Sequence, residues 1–260
     1  MSVPQLLALD FDGVLCDGIE EYFQSTLRVY RQIWEGELSP LEESLKLSFA
    51  RLRPVIETGW EMPVLLRAIV LGIEEASTGQ DWAGVAKEIV SSEQLDWQEL
   101  ADRLDTVRDR WMKADLAEWL GLHRFYPGAI ARLQKILAAS TPQLYIITTK
   151  EGRFARQLLQ QQGVELPPNA IIGKESKRPK HETLRQLLAI AAIQPDRLWF
   201  VEDRLKTLHS VRQQPDLQAL QLYLADWGYN TPQMRDSARQ NSKIRLLSLQ
   251  QFGEDFRAWI

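Results

Sequence analysis

The sequence predicts an α/β fold: a doubly wound parallel sheet interrupted, soon after its first strand, by an all-α insertion. Three observations carry that prediction. Short apolar runs recur at 6–9, 144–147, 170–172 and 198–201, each suited to a strand buried on both faces. Amphipathic helical patterns separate the later runs, and strand–helix–strand repetition implies a parallel sheet. Between 19 and 124, helical patterns follow one another with no strand among them, a span far beyond the ~2–6 residues of an ordinary βα connection. The expected division is a core from 1–18 and 125–260 and a helical domain from 19–124.

Composition narrows the function classes. With 260 residues, 45% apolar and 25% charged, the chain has the make-up of a soluble globular protein. A net charge of −4 argues against a nucleic-acid partner held by bulk electrostatics. The single cysteine, Cys16, excludes an intramolecular disulfide. The first twenty residues lack the basic region and apolar run of a secretory signal, so a cytoplasmic location is expected. No apolar segment approaches the ~18 residues of a membrane span, so no membrane association is expected. The oligomeric state stays open between monomer and homodimer.

The first apolar run, Leu6-Leu7-Ala8-Leu9, leads directly into Asp10-Phe11-Asp12-Gly13-Val14-Leu15. In extended chain, residues two apart point the same way, so Asp10 and Asp12 are expected on one face and Phe11 on the other, toward packing. Two carboxylates this close repel, and a divalent cation relieves the repulsion. Mg²⁺ suits them as a hard ion that prefers oxygen ligands. A plain strand end followed by an Asp-Gly turn fits the same residues.

After the Cys16-Asp17-Gly18 boundary, helices are expected over 19–34, 39–51, 63–70, 82–90 and 96–120. Trp111 and Trp119 fall two turns apart on nearly one face of the last, which reads as core packing. Ligands of open α/β sheets sit outside the carboxyl ends of the strands, so an insertion here is expected to overhang the carboxylate pair. Within it Arg53 and Trp60, beside Pro54 and Gly59, are candidates to touch a ligand, with a helix end and a buried tryptophan as the alternative.

The core resumes at Tyr126-Pro127-Gly128, followed by a helix over 129–139 and the strand 144–147, which ends in Thr148-Thr149-Lys150. A hydroxyl there can bond a phosphoryl oxygen. A helix over 153–162 and the weaker strand 170–172 precede Lys177-Arg178-Pro179-Lys180, where positive charge gathers at the start of a helix over 182–193. Basic residues at a helix N-terminus oppose its dipole, and a bound anion would account for them, as would a solvated basic loop. The strand 198–201 then delivers Glu202 and Asp203 to the same sheet edge. A last strand is expected over 219–224, giving five or six in all, and an amphipathic helix over 248–260. His123, His181 and His209 lack a second ligand at metal spacing.

Taken in order, these four stretches resemble the haloacid dehalogenase (HAD) superfamily, and the match at Asp10-Phe11-Asp12-Gly13-Val14-Leu15 covers the first motif in full. The resemblance extends over roughly 5–18 and 125–225, and implies a Rossmann-like core with a helical cap placed between the first and second motifs. It implies an aspartyl-phosphate on Asp10, acid–base catalysis by Asp12, and a phosphoryl contact from Thr148. It implies charge neutralisation by a lysine near 180, for which Lys180 is preferred and Lys177 and Arg178 are alternates. Gly13, Thr149 and Arg178 are then substrate-binding candidates, with Arg53 and Trp60 from the cap. Asp10, Asp12 and Asp203 are candidate Mg²⁺ ligands. The fourth stretch departs from the family pattern: Glu202 stands at its glycine and Thr207 at its second acid, so Glu202 is a candidate ligand in that acid's stead. An acid at position 12 favours phosphate esters over carbon–halogen chemistry. The implied activity is a Mg²⁺-dependent phosphatase acting on a small phosphorylated metabolite, with a phosphomutase or a catalytically weak binding protein of the same fold as alternatives.

Overall fold

The computed structural model describes residues 3–34, 38, 42–139 and 141–259. The chain divides into two compact units, one from Met1–Asp17 with Arg124–Ile260 and the other from Gly18–His123.

In the first unit the strands are β1 (Leu6–Leu9), β2 (Cys16–Asp17), β3 (Arg124–Phe125), β4 (Gln143–Ile147), β5 (Ile171–Ile172), β6 (Leu198–Glu202), β7 (Gln221–Ala225) and β8 (Ile244–Leu247). Six of them form one sheet in the order β5-β4-β1-β6-β7-β8, with every neighbouring pair parallel. All four residues of β1 are buried, as expected for a strand covered on both faces. Leu9 pairs with Ile146 of β4 and with Val201 of β6. The carboxyl ends of three adjacent strands therefore lie side by side, at the point where the order reverses.

Helices Ala129–Ala139, Gly152–Gln161, Lys180–Ala191, Leu205–Arg212, Pro232–Gln240 and Leu249–Gly253 accompany these strands. Leu184 and Leu187 of one and Leu208 and Val211 of another pack with Ala8, Phe200 and Leu222 in one buried cluster. Each fully buried leucine or phenylalanine in it contributes about 1.5–3 kcal/mol. The sheet has a sixth strand, β8, beyond the last one the sequence suggested. The segment anticipated as one helix over 248–260 is a short helix to Gly253 and a 3-10 turn over Phe256–Trp259; Ile260 lies outside the described residues. Ser248 and Gln251 close its start as a reciprocal capping box.

β2 and β3 form a separate antiparallel ribbon in which Cys16 pairs with Phe125 and Asp17 with Arg124. It is reached through a tight turn: Leu15 and Cys16 both donate to the Phe11 carbonyl, and Gly13 donates to that of Cys16. Gly13 has φ +85°, a region glycine enters without the clash a Cβ brings.

The second unit is helical, with Ile19–Ile33, Glu42–Leu52, Glu61–Val70, Glu75–Gln80, Trp82–Ser92, Trp97–Ala114 and Leu116–Gly121. Of the helix expected over 39–51, residues 39–41 lie outside the described residues. The helix expected over 96–120 is two, because Asp115 leaves helical geometry (φ −150°, ψ 89°) and its side chain accepts the Glu118 N–H as an N-cap. Trp111 and Trp119 are therefore on different helices, and both are buried. Glu21, fully buried, organises this unit. Arg108 donates to it twice, at 2.7 and 2.9 Å, and Ser25 Oγ and Trp119 Nε1 donate to its Oε1. Such a bidentate, hydrogen-bonded pair is the form in which a buried charge is tolerated. Among the described residues no helix is long and apolar enough to cross a membrane.

Candidate active site at the carboxyl edge of the sheet

Asp10 leaves the end of β1, with its backbone N–H still donating to Val201 of β6. Glu202 closes β6 and Asp203 follows it. One carboxylate oxygen from each of these three acids lies within 4.8 Å of the others, and all three residues are buried. The parallel register accounts for their presence together: Leu9 pairs with Val201, so Asp10 leaves β1 beside the end of β6, where Glu202 and Asp203 stand.

Lys180, the first residue of helix Lys180–Ala191, enters this acidic group. Its Nζ lies 2.8 Å from Asp10 Oδ1 and 2.7 Å from Glu202 Oε2. Burial pulls its pKa down, but the two carboxylates outweigh that and hold the ammonium charged, above the usual lysine range. Burial also pushes Asp10 up to about 7, with Glu202 adding to the rise and Lys180 opposing it. Burial likewise raises Glu202, against Lys180, and Asp203, with the Asp10 charge adding to it. One lysine does not neutralise three buried acids. Asp10 Oδ1 is buried with no aligned hydrogen-bond donor, the ammonium at 2.8 Å lying off that direction.

An all-oxygen donor set, excess negative charge and an undersatisfied carboxylate oxygen together fit a hard divalent cation. Asp10 and Asp203 would hold it. Glu202 is within reach too, although its oxygens already accept from Lys180 Nζ and from the Arg204 N–H at 3.0 Å. Thr207, at the family's second acid position, is part-buried in helix Leu205–Arg212; Glu202 is the acid that the structure supplies beside Asp203.

Asp12 stands apart from this trio. Its Oδ1 is 3.4 Å from Lys150 Nζ, with both side chains mostly buried. Lys150 directly follows the two threonines, and no sequence pattern assigns it a role. Thr148 is buried at the end of β4, and its Oγ1 accepts the Lys150 N–H at 3.0 Å. Thr148, Thr149, Arg178 and Lys180 line one cavity of about 170 Å³ with Lys174 and Lys177. The side chain of Arg178 is turned to Gln186, whereas that of Lys180 reaches Asp10.

Two glycines allow the site to close. A Cβ on Gly13 would lie 2.0 Å from Asp203 Oδ2, and one on Gly228 would lie 2.3 Å from Asp203 Cβ and 2.4 Å from the Gly13 carbonyl. The segment after β7 thus packs directly on the first loop. Tyr229 donates its N–H to Asp203 Oδ2 at 2.7 Å and its hydroxyl to Asp17 at 2.7 Å, and Trp227 Nε1 donates to the Val14 carbonyl. Nothing in the sequence pattern marks this segment, because its ties to the first loop span more than two hundred positions.

Arg53 and Trp60 belong to the second unit. Arg53 is buried, donates to the Ile56 carbonyl and lies over the Tyr22 ring; Trp60 is half-buried at the start of helix Glu61–Val70. Of the histidines, His123 contacts the Trp119 carbonyl and His181 contacts Ser210.

Residues 4–209 match the family model of haloacid dehalogenase-like hydrolases, and the chain belongs to that family. No curated protein matches the sequence. Among solved structures, the chain is similar to a predicted phosphatase from Clostridium acetobutylicum, with 15% identity, 97% of each chain covered and a TM-score of 0.60. It is similar to a predicted phosphoglycolate phosphatase from Haemophilus somnus, with 14% identity, 99% of this chain and 98% of the other covered, and a TM-score of 0.61. A haloacid dehalogenase-like family protein from Streptococcus pneumoniae is similar too, with 14% identity, 94% and 95% coverage and a TM-score of 0.59. At these identities the likeness is one of fold.

Proposed function

We propose that the protein is a Mg²⁺-dependent phosphatase that hydrolyses small phosphorylated metabolites, with residues 18–123 serving as the substrate-selecting cap. The observation that carries this reading is the meeting of Asp10, Asp203, Glu202 and Lys180 at the sheet edge, an anionic trio with one buried cation. Family membership and the phosphatases among its structural neighbours support it.

In this reading an Asp10 carboxylate oxygen attacks phosphorus and the ester oxygen leaves, taking a proton from Asp12. Water then attacks the aspartyl-phosphate, losing its proton to Asp12; inorganic phosphate departs and Asp10 is restored. Thr148 and the Thr149 backbone orient the phosphoryl oxygens, and Lys180 offsets their charge. Bound Mg²⁺ supplies further charge neutralisation at the phosphoryl group. Lys150, 3.4 Å from Asp12, holds the acid–base carboxylate in place.

Phosphate release from p-nitrophenyl phosphate with Mg²⁺ tests the reading. Asp10→Asn should abolish release by at least about 10³-fold while the circular dichroism spectrum stays that of the folded protein, because the neutral amide has no nucleophilic carboxylate. Release that persists in Asp10→Asn would overturn it. Transfer of the phosphoryl group to a sugar hydroxyl in preference to water would show a mutase instead.

A further inference from the structure

We infer that Asn230 and Arg235 are positioning residues for the divalent cation, acting through Asp203; this rests on the assignment of Asp203 as a cation ligand made above. Asn230 is 5% exposed, and its side chain is fully committed. Its Nδ2 donates to the Asp203 carbonyl at 3.0 Å and to the Ala225 carbonyl at 2.8 Å. Its Oδ1 accepts from Arg235 Nη1 at 3.0 Å, and the same Nη1 lies 3.0 Å from the Asn230 carbonyl. An amide placed this way has its orientation fixed, since a flip would set its NH₂ against a guanidinium and its oxygen against two carbonyls.

The consequence reaches the ligand by two routes. Asn230 ties the backbone of Asp203 to the last residue of β7, fixing where the side chain starts. The adjacent Tyr229 N–H takes Asp203 Oδ2 at 2.7 Å, which fixes the side-chain torsion. Gly228 and Gly13 crowd the Asp203 side chain closely enough that a Cβ on either would overlap it. The Asp203 carboxylate is thereby held in one orientation beside Asp10 and Glu202. The arrangement is a chain, Arg235 to Asn230 to Asp203, in which Arg235 and Asn230 act only through Asp203. Partners of this kind behind a metal ligand are typically worth about 10–100-fold in metal affinity.

The test is isothermal titration of Mg²⁺ alone into the EDTA-treated full-length protein, comparing wild type, Asp203→Asn, Asn230→Asp, Asn230→Ala and Arg235→Gln. Asn230→Asp keeps the shape but replaces the NH₂ donor with a carboxylate oxygen facing two carbonyls. Arg235→Gln leaves Asn230 intact and removes the donor to its Oδ1 and to the Asn230 and Asp226 carbonyls, a milder change that guards against an unfolded variant. Metal-free melting is recorded for each. The expected result is a Mg²⁺ Kd raised about 10–100-fold in the Asn230 variants and about 3–10-fold in Arg235→Gln, with kcat largely restored at saturating Mg²⁺ in Arg235→Gln. A purely structural role would lower metal-free melting and leave the Kd of the folded fraction at the wild-type value; that result overturns the inference. If Asp203→Asn binds Mg²⁺ as wild type does, Asp203 is no ligand, and the cation assignment falls together with the inference. Wild-type binding in the Asn230 and Arg235 variants with weakened binding in Asp203→Asn overturns the inference alone.

Discussion

Replacing Lys180 by methionine keeps the length and apolar stem of the side chain and deletes its charge. In wild type, the ammonium is 2.8 Å from Asp10 and 2.7 Å from Glu202, and both carboxylates are buried. Removing one partner of a buried pair leaves uncompensated charge and costs about 3–5 kcal/mol; at about 2–4 °C per kcal/mol for a domain of 150–250 residues, melting should fall by roughly 6–20 °C at pH 8 without metal. Acid should repair the loss. Asp10 already has its pKa raised to about 7, with burial the largest cause and Lys180 opposing the rise, so without the lysine the pKa climbs further. An acid whose folded pKa exceeds its unfolded value binds more protons when folded, so stability falls as pH rises from the unfolded pKa to the folded one. The deficit of Lys180→Met should therefore be largest at pH 8 and shrink steadily toward pH 5. Mg²⁺ should also restore part of it, by supplying positive charge to the same acids. Urea unfolding of both proteins at pH 5, 6.5 and 8, with and without Mg²⁺, gives the comparison. A deficit that is the same at every pH, or below about 1 kcal/mol at pH 8, would refute the picture of two buried carboxylates held by one ammonium.

Two further outcomes follow from the same geometry. With Asp10 as a ligand, as proposed, Mg²⁺ would compete with the proton whose affinity burial raises to a pKa of about 7, so the rise in melting temperature on adding 5 mM MgCl₂, a concentration chosen for the assay at about the millimolar scale of weak sites, should be small at pH 5.5 and grow to a plateau above pH 7.5, as scanning fluorimetry would read. Gly228→Ala places a methyl 2.3 Å from Asp203 Cβ and 2.4 Å from the Gly13 carbonyl; forced overpacking of this kind costs about 1–3 kcal/mol, and phosphatase activity should fall by more than the loss of folded protein explains, because Asp203 is the group displaced.

Much of the sheet was legible in the sequence because its central strands are buried on both faces and read as apolar runs; Leu6–Leu9 is the clearest case. β8 escaped because Ile244-Arg245-Leu246-Leu247, with Arg245 exposed and Leu246 part-buried, is neither an unbroken apolar run nor a strict alternation. Asp115 was equally hard to read: an aspartate within a helical periodicity looks like a solvated position until its backbone is seen to turn out of the helix. Asp10, Thr148, Lys180, Glu202 and Asp203 could be picked out because each ends or follows a strand or opens a helix, and neighbouring strands bring such positions to one edge. Asn230, Arg235 and Lys150 could not. Asn230 and Arg235 act on Asp203 through hydrogen bonds between segments far apart in the chain, and no local spacing encodes that. Asp12 shows a limit of the alternation argument, since the turn at Gly13 ends the extended geometry and directs that carboxylate to Lys150 rather than into the trio.

The antiparallel ribbon of Cys16–Asp17 and Arg124–Phe125 sets the two severed ends of the core side by side. For the core, 106 intervening residues from Gly18 to His123 amount to a loop whose ends were already brought together, and the entropy of closing a loop grows only logarithmically with its length. The closure term alone therefore changes little when the inserted block is lengthened or shortened at this junction. Grafting a two-residue hairpin turn between Asp17 and Arg124 should keep that ribbon closed, which circular dichroism and urea unfolding of the shortened chain would check.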